Sequence, residues 1–260
     1  MTFGLALTLL NLALLTAMML LFAVGRRLGA RDLKKDPKGM RSGLGAVEAA
    51  VLALLGLLLA FTIAGAGGRF DIRRNQIVEE ANAIGTAYLR LDVLPAAMQP
   101  GLREAFRSYV DTRLAVYRNV PDDIPAAKRE LATMSTLQHE IWKQAVAAVP
   151  ADSAPPCTAL LVLPAVNAMF DIANTRTMAT QIHTPLGVFA ILFVLALAGA
   201  LLSGYGMATA TFGSWLHIIC FVVVVVATIF VILDLEFPRL GWVRIETFDQ
   251  TLVDLRTRMR

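Results

Sequence analysis

The chain has 260 residues, of which 57% are hydrophobic and 17% are charged, and its formal net charge is +4. Soluble domains are about 45–50% apolar, so this composition indicates an integral membrane protein. The basic residues are dispersed and are not interleaved with aromatic ones, which gives little support to nucleic-acid binding. The two cysteines and the three scattered histidines lack metal-ligand spacing, so neither a metal nor another cofactor is predicted.

Four apolar segments are each long enough to cross a bilayer, and we predict membrane spans at residues 3–24, 44–64, 185–205 and 215–233. Each has roughly 20 residues, the length that a hydrocarbon core of about 30 Å requires. The first has no basic residue before it and no small-residue cleavage site after it, so we expect it to be retained and not removed as a signal peptide. An even number of spans places both termini on one side of the membrane, together with the large polar region between the second and third spans.

The second span continues, without a proline, into a polar segment that keeps helical spacing as far as Leu94. A continuous helix here would be roughly 75 Å long, about twice what a bilayer needs. Small residues at 65–68 leave a kink as the alternative to one straight helix. Apolar residues at heptad spacing in the polar part predict packing against neighbouring helices of a bundle or oligomer. They are Ile77, Ala81, Ile84, Tyr88 and Leu91.

Three further stripes on this predicted helix are candidates for function. Within the span, small residues recur every four positions, a pattern that lets another membrane helix approach closely. They are Gly56, Ala60, Ala64 and Gly68. Beside them, the apolar row Ala53, Leu57 and Phe61 is either core packing or a pore neck that gates by dewetting. Beyond the span lies a polar stripe that consists of Asn75, Glu79, Asn82 and Thr86.

The polar region between the second and third spans is predicted as helices separated by prolines, because no stretch alternates with the period of a strand. After the extension to Leu94, helices are expected at residues 101–117, from the turn at 121–125 to 149, and at 158–182. The last carries a second polar stripe, Asn167, Asp171 and Asn174. The two polar stripes either hydrogen-bond to each other or face solvent, or they line a water-filled vestibule.

The predicted fold is therefore an all-α integral membrane protein with four transmembrane helices and a helical extramembrane bundle between the second and third. We predict that the chain divides into four regions: the first two spans with a basic connecting loop, the helical region, the last two spans, and a C-terminal tail. Their bounds are 1–68, 69–184, 185–234 and 235–260. Basic residues near the span ends number seven on one side and six on the other, so the positive-inside rule is nearly tied on topology.

Six segments carry motifs of a known family: Leu58–Phe61, Arg69–Arg74, Glu80–Arg90, Leu163–Asn167, Asp171–Arg176 and Leu233–Gly241. They resemble a bacterial membrane family of unknown function described as bestrophin-like. Seven of their charged residues are candidate signature charges. These are Arg69, Arg73, Arg74, Glu80, Arg90, Asp234 and Glu236.

This family is distantly similar to the bestrophin anion channels, and the resemblance implies a pentameric channel in the bacterial inner membrane with the helical region in the cytosol. It also implies that Ala53, Leu57 and Phe61 form the pore neck. Bestrophins carry an acidic calcium-binding cluster after the fourth span. The corresponding acids here are few and are interleaved with Arg239 and Arg244, so calcium gating is not expected.

The function predicted is a homo-oligomeric channel whose second helix lines a pore for small inorganic anions. The alternative is a membrane sensor or scaffold whose helical bundle binds a ligand or partner and transmits a shift along the heptad seam. An enzyme is not predicted, because no nucleophile elbow, phosphate loop, HExxH motif or paired carboxylates are present. The bilayer and further copies of the chain are the expected partners, and nucleic acid is not.

Overall fold

The computed structural model describes residues 3–35, 44–119, 124–149, 157–208, 215–243 and 246–259. Every element in these ranges is helical, which confirms the all-helical class for this part of the chain. The helices are α1 (Phe3–Lys35), α2 (Leu44–Leu89), α3 (Gln99–Asn119), α4 (Ile124–Ala147), α5 (Thr158–Ala179), α6 (Leu186–Gly206), α7 (Trp215–Glu236) and α8 (Glu246–Arg258). The linker predicted at 150–156 and much of the predicted turn and basic loop lie outside the described residues.

Five of these helices are long and apolar enough to cross a membrane, one more than the sequence predicts. Four of them contain the predicted spans. The fifth is α5, which is the least apolar of the five and was expected outside the membrane. The multiple apolar helices are those of a membrane protein.

The chain forms two compact units, and α2 contributes to both. The first unit comprises Met1–Phe70 and His183–Val243, and the second comprises Asp71–Ile182 and Arg244–Arg260. The helix is unbroken through the small residues at 65–68 and ends at Leu89. A short 3-10 helix, Arg90–Val93, follows it and stops just before Pro95, whose ring cannot continue a helix.

In the first unit, α1 packs along α6 and α7. The closest approach of α1 to α6 lies at two glycines. A Cβ on Gly25 would overlap the carbonyl of Leu201, and one on Gly204 would overlap the carbonyl of Phe22. Because membrane helices associate through close backbone packing, these glycines determine the separation of α1 and α6.

The second unit buries the predicted heptad seam in its own core. All five seam residues are buried, and four of them, Ala81, Ile84, Tyr88 and Leu91, pack in one core with apolar residues of α3, α4, α5 and α8. The seam therefore packs within the chain. Helix α8 was expected only as part of a C-terminal tail; Leu252 and Met259 anchor it in this core. An isolated helix of 13 residues is marginal in water, so this packing is what stabilises it.

Candidate functional site

The predicted pore neck forms an open face of α2 in the first unit. Leu57 and Phe61 are 54% and 67% exposed, and Ala53 is exposed beside them. The opposite face of the helix, with Leu55 and Leu59, is buried in the core of the unit. Packing inside the chain therefore does not account for the neck residues, and the face is open to lipid, to another copy or to a pore.

The small-residue stripe of α2 lies near the neck and is also open. Ala60 and Ala64 are exposed, and a Cβ built on Gly56 or Gly68 would meet no atom within 4 Å. No other helix of the described chain uses this stripe for close packing. The close helix contact of this unit lies instead between α1 and α6.

Both predicted polar stripes are exposed in the second unit. On α2, the side chains of Asn75, Glu79, Asn82 and Thr86 all face away from the core. On α5, Asn167, Asp171 and Asn174 do the same. A hydrogen bond between stripe side chains runs along α5, where Nδ2 of Asn167 donates to Oδ2 of Asp171 at 3.1 Å. The stripes therefore present their amides, hydroxyl and carboxylates to solvent.

The buried faces of the same helices meet at a charged cluster, which consists of Glu80, Arg113, Tyr117, Arg176 and Asp249. The Glu80 carboxylate is fully buried between two guanidiniums. Its Oε1 lies 2.5 Å from Nε of Arg113, and its Oε2 lies 2.5 Å from Nη1 of Arg176. The hydroxyl of Tyr117 donates to the same Oε2 at 3.3 Å, and Arg176 also pairs with Asp249 at 3.0 Å.

The electrostatics of this cluster keep Glu80 ionised. Glu80 lies well beyond the apolar part of α2, residues 44–64. Burial by itself would raise the pKa of its carboxyl, but the attraction of Arg113 and Arg176 and their hydrogen bonds hold that pKa below its ordinary value. The ring of Tyr117 adds cation–π contacts, at 4.9 Å from Cζ of Arg113 and 3.8 Å from Cζ of Arg176. The cluster thus ties α2, α3, α5 and α8 together.

In the first unit, Arg69 and Glu236 form a second polar group. Arg69 pairs with the fully buried Glu236 carboxylate and donates a hydrogen bond to Oγ1 of Thr184, which in turn donates to Glu236. Nδ1 of His183 lies 3.4 Å from Oε2 of Glu236, and its ring stacks on Phe237 at 4.6 Å. These contacts connect α2, the start of α6 and the end of α7.

The segment after α7 is folded around Asp234. Its two carboxylate oxygens accept hydrogen bonds from the backbone N–H groups of Trp242 and Val243, each at 2.7 Å. A Cβ on Gly241 would overlap the Asp234 side chain, so the turn requires glycine there. Asp234 therefore acts as a scaffold for this turn.

The remaining signature charges also make local contacts. Arg73 is buried and donates to the carbonyls of Ala179 and Ile182, at 3.1 and 2.7 Å. Arg90 donates to the carbonyl of Leu161 at 2.7 Å. Arg74 forms an ion pair with Asp71 on the surface at 3.2 Å. The seven signature charges thus belong to several sites in the two units and do not form one binding centre.

The acids of the C-terminal segment do not fit a calcium ion. Asp234 accepts hydrogen bonds from two backbone N–H groups, Glu236 forms an ion pair with Arg69, and Asp249 forms an ion pair with Arg176. Calcium requires six to eight oxygen ligands, and these oxygens already accept from protein donors. Among the described residues, no group of three or more His, Cys, Asp or Glu side chains could hold a metal.

The sequence analysis identified neither Arg113 as a partner of Glu80 nor Asp249 as a partner of Arg176. The members of each pair are more than thirty residues apart, and periodicity along one helix carries no information about such pairs. One signal was present in the sequence: Arg113 lies at the centre of the apolar face of α3, between Val110 and Leu114. A cation on a face that must be buried requires an anionic partner, and Glu80, beside the seam of α2, meets that requirement.

A family model described as a Bestrophin-like domain matches residues 11–247 of the chain. No curated protein matches the chain. Among solved structures, the chain is similar to a bacterial Bestrophin homolog from Klebsiella pneumoniae that carries a point mutation. The TM-score is 0.67 at 13% sequence identity, and the match covers 93% of this chain and 98% of that one. At this identity the likeness shows a shared fold.

Proposed function

The chain belongs to the bestrophin-like family, and from this premise we propose that it forms a homo-oligomeric ion channel with α2 lining the pore. The open face of α2 carries the proposal. Phe61 is 67% exposed and Leu57 is 54% exposed, so the described part of the chain leaves this row largely uncovered. A ring of such rows from several copies would enclose an apolar neck, which gates by losing its water.

The helical geometry of α2 supports a single pore-lining face. At 100° per residue, the neck and polar positions of α2 fall within an arc of about 80°. These positions are 53, 57, 61, 75, 79, 82 and 86. The apolar neck would thus continue along the same side of the helix into a polar vestibule.

We propose four membrane spans, with α5 outside the bilayer. Helix α5 carries the buried Arg176 on one face and the exposed stripe Asn167, Asp171 and Asn174 on another. Exposing an ionised carboxylate such as Asp171 to hydrocarbon is costly, and polar residues inside membranes usually face a protein partner or water. Four spans give α1, α2, α6 and α7 as the membrane helices. The second unit would then lie in the cytosol of a bacterium, with the first in its inner membrane.

The permeant ion is proposed to be a small inorganic anion. Side-chain amides and a hydroxyl can donate hydrogen bonds to an anion, and the two polar stripes supply them at Asn75, Asn82, Thr86, Asn167 and Asn174. The carboxylates of Glu79 and Asp171 on the same stripes oppose an anion electrostatically. Selectivity is therefore the most informative property to measure after flux itself.

The stoichiometry follows from the use of one lining helix per copy, since about four or more helices are needed to enclose an aqueous pore. We propose a pentamer, as the resemblance implies. The native mass of the detergent-solubilised protein tests this directly. A dimer would contradict the pore and would favour a membrane sensor or scaffold instead.

Halide flux into liposomes that contain the purified protein tests the channel. Leu57→Ala and Phe61→Ala should each increase flux several-fold, because a smaller side chain widens and wets the neck. Leu20→Ala is the matched control for Leu57→Ala, since Leu20 is an apolar residue of α1 that is 63% exposed, and it should leave flux unchanged. Flux equal to that of empty liposomes, for the unmodified chain and both neck variants, would refute the proposal.

A further inference from the structure

The end of α1 carries four basic side chains on one side of the helix, which we call the basic face of α1: Arg27, Arg31, Lys34 and Lys35. All four are exposed, and at 100° per residue they fall within an arc of about 100°. Within the described chain, none of them forms an ion pair. The nearby acid, Asp32, lies off this arc. The face therefore presents four positive charges that no ion pair within the described residues neutralises.

Aromatic residues of the first unit indicate where the membrane surface crosses α1. The Trp215 ring, at the start of α7, lies 5.7 Å from Cζ of Arg26 and 5.9 Å from the ring of Phe22. Tyr205, near the end of α6, donates a hydrogen bond to Asp32 at 3.0 Å. Trp and Tyr are enriched at membrane–water interfaces. Their contacts with α1 place the edge of the hydrocarbon near Arg26.

The basic face of α1 begins at this level and extends outward. With a rise of 1.5 Å per residue, Arg31 lies about 8 Å and Lys35 about 14 Å beyond Arg26. The headgroup layer on each side of a bilayer is about 5–8 Å thick. Arg27 and Arg31 are therefore at headgroup depth. The side chains of Lys34 and Lys35 are long enough to reach back to the outer edge of that layer.

We propose that the basic face of α1 binds the headgroups of acidic phospholipids. A guanidinium matches a phosphate oxygen pair with two parallel hydrogen bonds, and the lysines add positive charge around it. Each basic residue near an anionic membrane surface strengthens the association of a protein segment with that surface about fivefold. This proposal does not rest on ion conduction. It differs from a topology signal because it requires a lipid preference in the folded, inserted protein.

Quenching of Trp215 measures this preference. The full-length variant Trp142→Phe/Trp242→Phe leaves Trp215 as the sole tryptophan of the three. It is inserted into bilayers of phosphatidylcholine and phosphatidylglycerol in which one or the other lipid carries bromine high on its acyl chains. At low salt, we expect phosphatidylglycerol to bind beside Trp215 at least about fivefold more strongly than phosphatidylcholine. At 1 M salt, where the screening length is about 3 Å, the preference should fall toward one.

Two variants with the same loss of charge separate this surface from general electrostatics. Arg27→Gln/Arg31→Gln/Lys34→Gln/Lys35→Gln should bring the preference close to one. The control neutralises four exposed basic residues of the second unit and should leave the preference unchanged. It replaces Arg118, Lys128, Arg129 and Lys143 with glutamine. If the first variant does not insert, Arg27→Gln/Arg31→Gln alone should reduce the preference several-fold. Equal binding of both lipids by the unmodified face, or an unchanged preference after its neutralisation, would overturn the proposal.

Discussion

Replacing Glu80 with glutamine removes the only charge that the guanidiniums of Arg113 and Arg176 share. The side chain keeps its size, so no cavity forms. Of the two guanidiniums, Asp249 pairs with that of Arg176 and not with that of Arg113. Without the Glu80 charge, Arg113 therefore keeps its contact with the Tyr117 ring but has no carboxylate partner in the described chain. Arg113 is 1% exposed, which prevents water from replacing the lost anion. The variant therefore has an uncompensated cation inside the second unit.

Loss of one partner from a buried ion pair costs about 3–5 kcal/mol. The cluster lies wholly within the second unit, which has about 130 residues. For a unit of that size, a change of 1 kcal/mol shifts the midpoint of thermal unfolding by about 3–5 °C. Glu80→Gln should therefore lower the midpoint by about 10–20 °C if the second unit unfolds cooperatively.

Thermal unfolding of the detergent-solubilised protein, followed by circular dichroism, measures this shift. Glu79→Gln is a matched control, because it makes the same chemical change at the adjacent, exposed position of the same helix. Exposed substitutions of this kind change stability by about 0.5 kcal/mol or less. The double variant Glu80→Met/Arg113→Met should recover part of the loss, since it removes both charges. Equal midpoints for Glu80→Gln and Glu79→Gln would refute the assigned role of the cluster.

At the contact between α1 and α6, Gly204→Ala should destabilise the first unit by about 1–3 kcal/mol, because the new methyl group meets backbone. Gly187→Ala, on the same helix with open space around it, should be neutral by the same thermal assay. In the channel, Glu79→Gln and Asp171→Asn should each raise the anion-to-cation permeability ratio measured from reversal potentials; no change in either variant would exclude these carboxylates from the pore. For pH, the folded-state pKa of Glu80 is depressed, so its contribution to stability is full above the unfolded value of about 4.3 and is lost as the pH falls through the folded-state pKa. Unfolding midpoints from pH 7 to pH 5 should therefore show no loss due to Glu80, and a loss that Glu80→Gln abolishes in that range would contradict the assignment.

Features that depend on local periodicity could be predicted from the sequence. The four predicted spans lie within helices, and the heptad seam from Ile77 to Leu91 is buried. The reason is physical: an apolar run of sufficient length, or an apolar face at helical spacing, has few alternatives to burial in lipid or protein. The exposed positions of both polar stripes follow from the same periodicity, because they lie on the faces opposite the buried ones.

Features that depend on which faces meet could not be predicted. The small-residue stripe from Gly56 to Gly68 and the glycines at 25 and 204 have similar local chemistry, yet only the latter two form a close helix contact within the chain. Helix α8 is short and polar, and its helicity depends on a core formed by distant segments. The partners of Glu80 likewise come from two other helices, α3 and α5. In each case the information lies in tertiary packing and not in spacing along one helix.

The contacts of α8 have a consequence for the order in which the protein is made. Asp249 pairs with Arg176, and the side chain of Arg256 forms two hydrogen bonds with Asp111, at 2.8 and 2.9 Å. Both α6 and α7 lie between these partners in the sequence, so the ribosome completes two apolar helices before it synthesises α8. During translation, these two ion pairs of the second unit therefore stay incomplete until α8 has emerged from the ribosome. Cells that stall or truncate synthesis after α7 should accumulate a protein whose apolar helices are complete but whose second unit is open to proteolysis.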